Sequence, residues 1–218
     1  MKARTNYPDC PTELSKAQLA AYRRDGYLAF ENALSPAEVE EACQGLNDIA
    51  RSYAFNEAVA EYRPMTPGNS NYGGASFRSK TSKCLVQLEP GYEPSPDKLG
   101  ELELKVRKTQ SFQDEAPIFN RIYTTHPRIQ GVVSSILGKA VELYQTMALV
   151  KTAQGGVEKP WHQDNAYFAI ENMDQILGTW IALDDATAEN GCMHLLVGGH
   201  QLGPLKHHHT FDCEIVSG

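Results

Sequence analysis

The sequence predicts an α+β domain in which helices come first and consecutive antiparallel strands then form a barrel or sandwich core. Three features carry this reading. Two helix starts with capping chemistry lie near the N-terminus, the texture turns strand-like from Ala140 onward, and the turn dipeptide Asn190-Gly191 separates two apolar runs.

Taken in order, Ser15-Lys16-Ala17-Gln18 has capping-box spacing, so a short helix starts there and Gly26 stops it. Ser35-Pro36-Ala37-Glu38 repeats the signature with proline at the first helical position, and Val39, Ala42, Leu46, Ile49 and Ala50 recur at helical spacing. Between them Tyr27-Leu28-Ala29-Phe30 reads as a short strand. Residues 62–97 are rich in Gly, Pro, Ser and Asn, and so long a stretch without periodicity is expected to be a loop or lid. A third helix is expected from Pro127 to Leu137, on the spacing of Ile129, Val132, Val133, Ile136 and Leu137, with Gly138 as its stop. Strands are then expected over Val141–Ala153, in the segment that carries His162 and Asp164, over Gln175–Leu183, and over Cys192–Val197 beyond the Asn-Gly turn.

The 218 residues suit one large domain, taken as 1–218, and 41% hydrophobic with 22% charged residues is the composition of a globular protein with a core. A net charge of −7 and a pI near 5.5 argue against a nucleic-acid surface. No apolar run approaches the roughly 20 residues that span a bilayer, and no signal peptide is visible. Cys10, Cys43, Cys84, Cys192 and Cys213 are odd in number and scattered, which reads as reduced thiols in a cytoplasmic protein rather than a disulfide frame or a cysteine zinc site.

Chemistry concentrates at Trp161-His162-Gln163-Asp164, after the Gly155-Gly156 break. On an extended strand, residues two apart point the same way, so His162 and Asp164 can offer an imidazole and a carboxylate to one metal. That is two-thirds of the two-His, one-carboxylate facial triad of non-haem Fe(II) oxygenases. The spacing also allows a structural pair, and the surrounding sequence favours metal ligation.

The segments HQDNAYF, WIALDDATAENGCMHLLVGGH and KTQSFQDE resemble the phytanoyl-CoA dioxygenase family of Fe(II)/2-oxoglutarate oxygenases, from Asp25-Gly26-Tyr27 to about His209. The resemblance implies a double-stranded β-helix, or jelly roll, with N-terminal helices packed on it. It implies iron ligation by His162 and Asp164, with 2-oxoglutarate as co-substrate and O₂ as oxidant. Lys108, in a K-x-Q-x-F-Q-acidic motif, matches a residue that contacts the co-substrate carboxylate; Met147 and Trp180 fall where family residues line that pocket. Gln163 matches the family's H-Q-D and Tyr167 the aromatic that follows it. Gly198-Gly199-His200 stands where the family has a Gly-Ser-His bend. On the residues alone, Lys108 belongs to a charged run and reads as solvated, while Met147 and Trp180 read as core.

Family members carry a distal histidine and a 2-oxoglutarate-binding arginine well beyond that bend, whereas no arginine follows Arg128 here. A jelly roll needs about eight strands, and only four or five are in view after Ala140, so the expectation is a chain cut within the barrel. His194, His200 and His207-His208-His209 are the remaining candidates for a third ligand. His194 sits in an apolar run and reads as a packed or rim residue, His200 matches a bend position that is not a ligand, and the triple histidine reads as a solvated loop.

The resemblance therefore implies a dioxygenase hydroxylating a small-molecule or lipid-like substrate with release of succinate. Asp164 favours hydroxylation over halogenation, since halogenating relatives lack the carboxylate. No concentrated basic site for a CoA phosphate is visible, so an acyl-CoA substrate is not implied. The alternative is a non-catalytic, truncated jelly-roll homologue acting as a binding protein; a cupin-like enzyme is a third, weaker reading, for want of cupin ligand spacing.

Overall fold

A computed structural model describes residues 7–65, 74–138, 141–152, 158–171, 175–209 and 213–216. In chain order the elements are α1 (Lys16–Asp25), α2 (Pro36–Tyr53), β1 (Ala60–Arg63), β2 (Ser76–Ser79), β3 (Leu85–Leu88), β4 (Val106–Gln110), α3 (Pro117–Thr124), α4 (Pro127–Leu137), β5 (Met147–Leu149), α5 (Asn165–Phe168), β6 (His207–His209) and β7 (Cys213–Ile215). Segments Pro96–Lys105 and Gly199–Leu202 are 3-10 helical. The chain divides into two compact units, one of residues 36–124 and 143–157, the other of residues 1–35, 125–142 and 158–218.

The first unit is built on an antiparallel sheet of order β1-β2-β3-β4-β5. Alternation along each strand sends side chains to opposite faces. Phe77, Val86 and Thr109 are cross-strand partners on one face, each almost completely buried. Helix α2 packs against β2 and β3 and contributes Ala42, Ile49, Ala50 and Tyr53 to the core; Leu102 of the 3-10 segment and Ile118, Phe119 and Ile122 of α3 complete it. Phe112 and Phe119 meet edge to face at 4.7 Å, the arrangement aromatic quadrupoles favour. Each large apolar side chain so buried stabilises the fold by about 1.5–3 kcal/mol.

The register of β3 and β4 shifts between Gln87 and Leu88, so that Gln87 faces Lys108 but Leu88 faces Val106, and Arg107 is the extra residue of a bulge. Val106 therefore shares the core face with Leu88. Lys108 lies on the opposite face beside its partners Gln87 and Leu149.

The expected loop over 62–97 is largely ordered. It contains the end of β1, all of β2 and β3 and the start of the 3-10 segment, while residues 66–73 lie outside the described ones. The strand expected over 141–153 narrows to the three residues of β5. Helix α3 was not anticipated.

In the second unit, α1 has the expected capping box, with both reciprocal Ser15–Gln18 bonds formed, and ends at Gly26 in the left-handed conformation at φ 83°. Helix α4 spans the expected residues, Pro127 to Leu137, and takes His126 as its N-cap. Tyr27–Phe30 forms no strand; Phe30 makes a single parallel bridge to Tyr7, with the two rings stacked at 5.5 Å. The segment Gly198–Gln201 is bound to the end of α1. Gly198 N–H donates to Asp25 O, His200 Nε2–H to Arg23 O and the Gln201 side chain to Arg24 O, at 2.8–3.0 Å. Gly26 has to be glycine twice over, for its backbone angle and because a methyl there would overlap the His200 ring.

Asn190-Gly191 does turn the chain, and the Asn190 carboxamide accepts from Thr187 N–H at 2.9 Å. The runs expected as strands over 175–183 and 192–197 carry no pairing among the described residues. Leu195, Leu196 and Val197 are exposed, so no buried face selects a strand register there. The described part of the chain is thus a mixed helical and antiparallel-sheet structure.

Candidate functional site

The run from Pro160 to Asp164 is a bend, not the predicted strand, and it leads into the single turn of α5. Asp164 is the N-cap of that turn, Ala169 closes it in the left-handed region, and Asn165 fixes the exit by bonding both N–H and C=O of Ile170 at 3.0 Å. Trp161 O accepts from Ile215 N–H of β7; one such bond is no ladder, which is why the segment curls. Residues 153–157, including Gly155-Gly156, lie outside the described ones.

The bend nevertheless brings the two side chains together. His162 Nδ1–H donates to Pro160 O at 2.8 Å, leaving Nε2 to face Asp164 Oδ1 at 3.2 Å. The hydrogen bond to Asp164 raises the His162 pKa above its ordinary value against the opposing effect of burial, with the Pro160 carbonyl adding to the rise. The same bond holds the Asp164 carboxyl below the usual carboxylate range, helped by the positive charge of Lys159. Tyr167 stands edge-on to the His162 ring at 5.5 Å, and its hydroxyl accepts from Lys159 Nζ at 3.2 Å.

The donor chemistry suits a divalent iron. A histidine ligand has its second ring N–H held by a carbonyl or carboxylate, which sets the tautomer and aims the other nitrogen; Pro160 O does this for His162. Two donors bound side by side at about 2.1 Å lie about 3 Å apart, close to the separation of Nε2 and Oδ1.

Among the described residues no three His, Cys, Asp or Glu side chains gather as a metal site. His200 is engaged with α1. His207 uses both ring nitrogens, Nδ1–H donating to Leu205 O at 2.8 Å and Nε2 accepting from Gln163 N–H at 2.9 Å. His208 pairs with Glu214 across β6 and β7 at 3.4 Å, and His194 is exposed. The side chain of His209 lies outside the described part.

The resemblance also pointed to Lys108, Met147, Gln163 and Trp180. Lys108 and Met147 share the face of the first unit's sheet that α2 does not cover, on the adjacent strands β4 and β5. Lys108 is half-buried, not solvated; burial first, then Arg107, lowers its pKa, and no acidic partner meets its ammonium among the described residues. Met147 is 45% exposed and Trp180 55%, so neither is a core residue. The Gln163 side chain is engaged with the backbone of residues 203–205. Its side-chain amide donates to Gly203 O and accepts from Leu205 N–H, both at 2.8 Å, and so is taken up by backbone. The sequence reading took His207 for part of a solvated loop and did not single out Lys159; the partners of both are visible only in the fold.

The phytanoyl-CoA dioxygenase family model matches residues 22–214. The chain belongs to the phytanoyl-CoA dioxygenase family. It is 28% identical over 200 residues to phytanoyl-CoA dioxygenase domain-containing protein 1 of Rattus norvegicus, an alignment covering 87% of this chain and 67% of the relative. The Caenorhabditis elegans homolog is 25% identical over 187 residues, covering 83% of this chain and 63% of the relative. The peroxisomal phytanoyl-CoA dioxygenase of Bos taurus is 28% identical over 198 residues, covering 89% of this chain but 50% of the relative. The chain thus spans half to about two-thirds of the length of these family members. No solved structure matches it. No helix among the described residues is long and apolar enough to cross a membrane.

Proposed function

We propose that the chain is an Fe(II)/2-oxoglutarate-dependent dioxygenase that hydroxylates a small-molecule or lipid-like substrate. The observation that carries the reading is the convergence of His162 Nε2 and Asp164 Oδ1 at 3.2 Å, with His162 locked by Pro160 O, in a member of a family that includes such oxygenases. Iron bound there supplies the coupling of 2-oxoglutarate decarboxylation to succinate with insertion of oxygen into a C–H bond. The chain's own residues bind and orient. His162 and Asp164 hold the metal as a neutral imidazole and a carboxylate, leaving coordination positions open. Lys108 offers a partly desolvated ammonium to a co-substrate carboxylate, a charge-assisted contact stronger than its neutral counterpart. Met147 and Trp180, both exposed apolar residues, are the further side chains that the family resemblance offers for the co-substrate.

The test is release of labelled succinate from 2-oxoglutarate with and without Fe(II). Asp164→Ala is expected to abolish both turnover and Fe(II) binding. Lys108→Met is expected to raise the KM for 2-oxoglutarate at least about tenfold, the loss of one charged hydrogen bond of about 1.5–3 kcal/mol, while Fe(II) affinity stays unchanged. Fe(II) binding without succinate release would instead make the chain a non-catalytic binding protein.

A further inference from the structure

We infer that His207 and Gln163 form a latch that fixes the backbone between the two metal donors, and that both are positioning residues, not ligands. Gln163 lies between His162 and Asp164, and its N–H belongs to the peptide plane joining His162 to Gln163, so holding it restrains how the His162 side chain leaves the backbone. That N–H is held by His207 Nε2 at 2.9 Å. The His207 ring is in turn held by Nδ1–H on Leu205 O at 2.8 Å, which fixes the tautomer whose Nε2 lone pair can accept.

The Gln163 side chain closes the latch from the other side. Its amide pairs with Gly203 O and Leu205 N–H as a neighbouring strand would. Gly203, at φ 67°, occupies a backbone region that glycine enters without strain. Two backbone bonds continue the seam, Val216 N–H to Lys206 O and Ile215 N–H to Trp161 O, each 2.9 Å. His207 cannot donate to a metal in this arrangement, because both ring nitrogens are used and releasing Nε2 would free the Gln163 peptide. Partners of this kind behind metal ligands typically change affinity by about 10- to 100-fold when removed.

The inference rests on the metal reading of His162 and Asp164, and the experiment separates the two. Hydrogen exchange at the Gln163 amide and the nitrogen-15 shifts of His207 are measured on the full chain without metal, and Co(II) affinity is measured in parallel by titration calorimetry. The wild type is expected to show a protected Gln163 amide and the Nδ1–H tautomer of His207. His207→Leu is expected to speed exchange at Gln163 at least about tenfold and to weaken Co(II) binding by about 10- to 100-fold. His207→Gln, whose side-chain oxygen reaches the position of Nε2, is expected to restore both to within about threefold. An unprotected Gln163 amide in the wild type would overturn the latch, as would a Leu variant that exchanges and binds like the wild type. A Gln variant that keeps the amide protected yet binds Co(II) as weakly as the Leu variant would make His207 a ligand and also overturn it. If the wild type binds no Co(II), the metal reading fails, and the exchange and nitrogen-15 results decide the latch on their own.

Discussion

Cys84 has no exposed surface, and burial pushes its thiol up to about 12, with the nearby Glu115 carboxylate adding to the rise. The folded chain therefore keeps that proton in the interval above the ordinary value of 9.0 where the unfolded chain gives it up. Stability falls with pH wherever the native state holds more protons, so alkali destabilises the fold between about pH 9 and 12. Burial raises the buried phenol of Tyr53 as well, which adds to the same slope. Cys84→Ala is expected to flatten, not abolish, the loss of stability in urea titrations between pH 8 and 11. Cys84 itself should resist alkylation at pH 8.5 until the chain unfolds, because the thiolate is the reactive form. At this scale the sequence shows which residue types stand close together and not the conformation that holds them. His162 and Asp164 were singled out by residue type and a two-residue spacing, and that spacing fits the bend they form as well as a pleat. Gln163 was legible only as a letter in a motif, since the groups that hold its amide lie 40 and 42 residues away.

Among the elements, the helices with chemical punctuation were the readable ones. The α1 capping box satisfies a helix-end N–H and the cap's own N–H reciprocally. Ser15→Ala is expected to cost about 1 kcal/mol and to lower the melting temperature by about 2–4 °C, measurable by circular dichroism. Helix α3 escaped notice because Ile118, Phe119, Ile122 and Tyr123 are residues that strands also favour; Pro117 at its start and burial of 118, 119 and 122 decide for helix. Strands β1, β2 and β3 have four residues each. Alternation over so few positions is hard to tell from chance, and the Gly-, Pro- and Ser-rich joints between them gave the whole stretch the look of a loop.

For the molecule as a whole, the family assignment rests on sequence over residues 22–214, and the described structure supplies its helices and two antiparallel sheets, of five and two strands. The jelly roll was expected only from the family resemblance, and the barrel or sandwich core from a pattern of strand-like runs. Those over 175–183 and 192–197 carry no pairing among the described residues, and none of their residues is buried. The sheet of the first unit ends at β5, whose outer edge has no strand partner among the described residues, and Leu149 there is 62% exposed. An open edge with apolar side chains is a template for pairing with another copy. Leu149→Gln is expected to reduce concentration-dependent association in light scattering while moving the unfolding free energy by no more than about 0.5 kcal/mol.

The bulge at Arg107 makes one point of β4 tolerant of a change in chain length. Val106 and Lys108 are two residues apart yet face opposite ways, so removing the residue between them restores ordinary alternation without turning either side chain over. Removing Thr109 instead would swing the polar Gln110 into the core opposite Val86. Insertions and deletions in this strand are therefore confined to a single site, and that site is next to the lysine on the face that α2 does not cover.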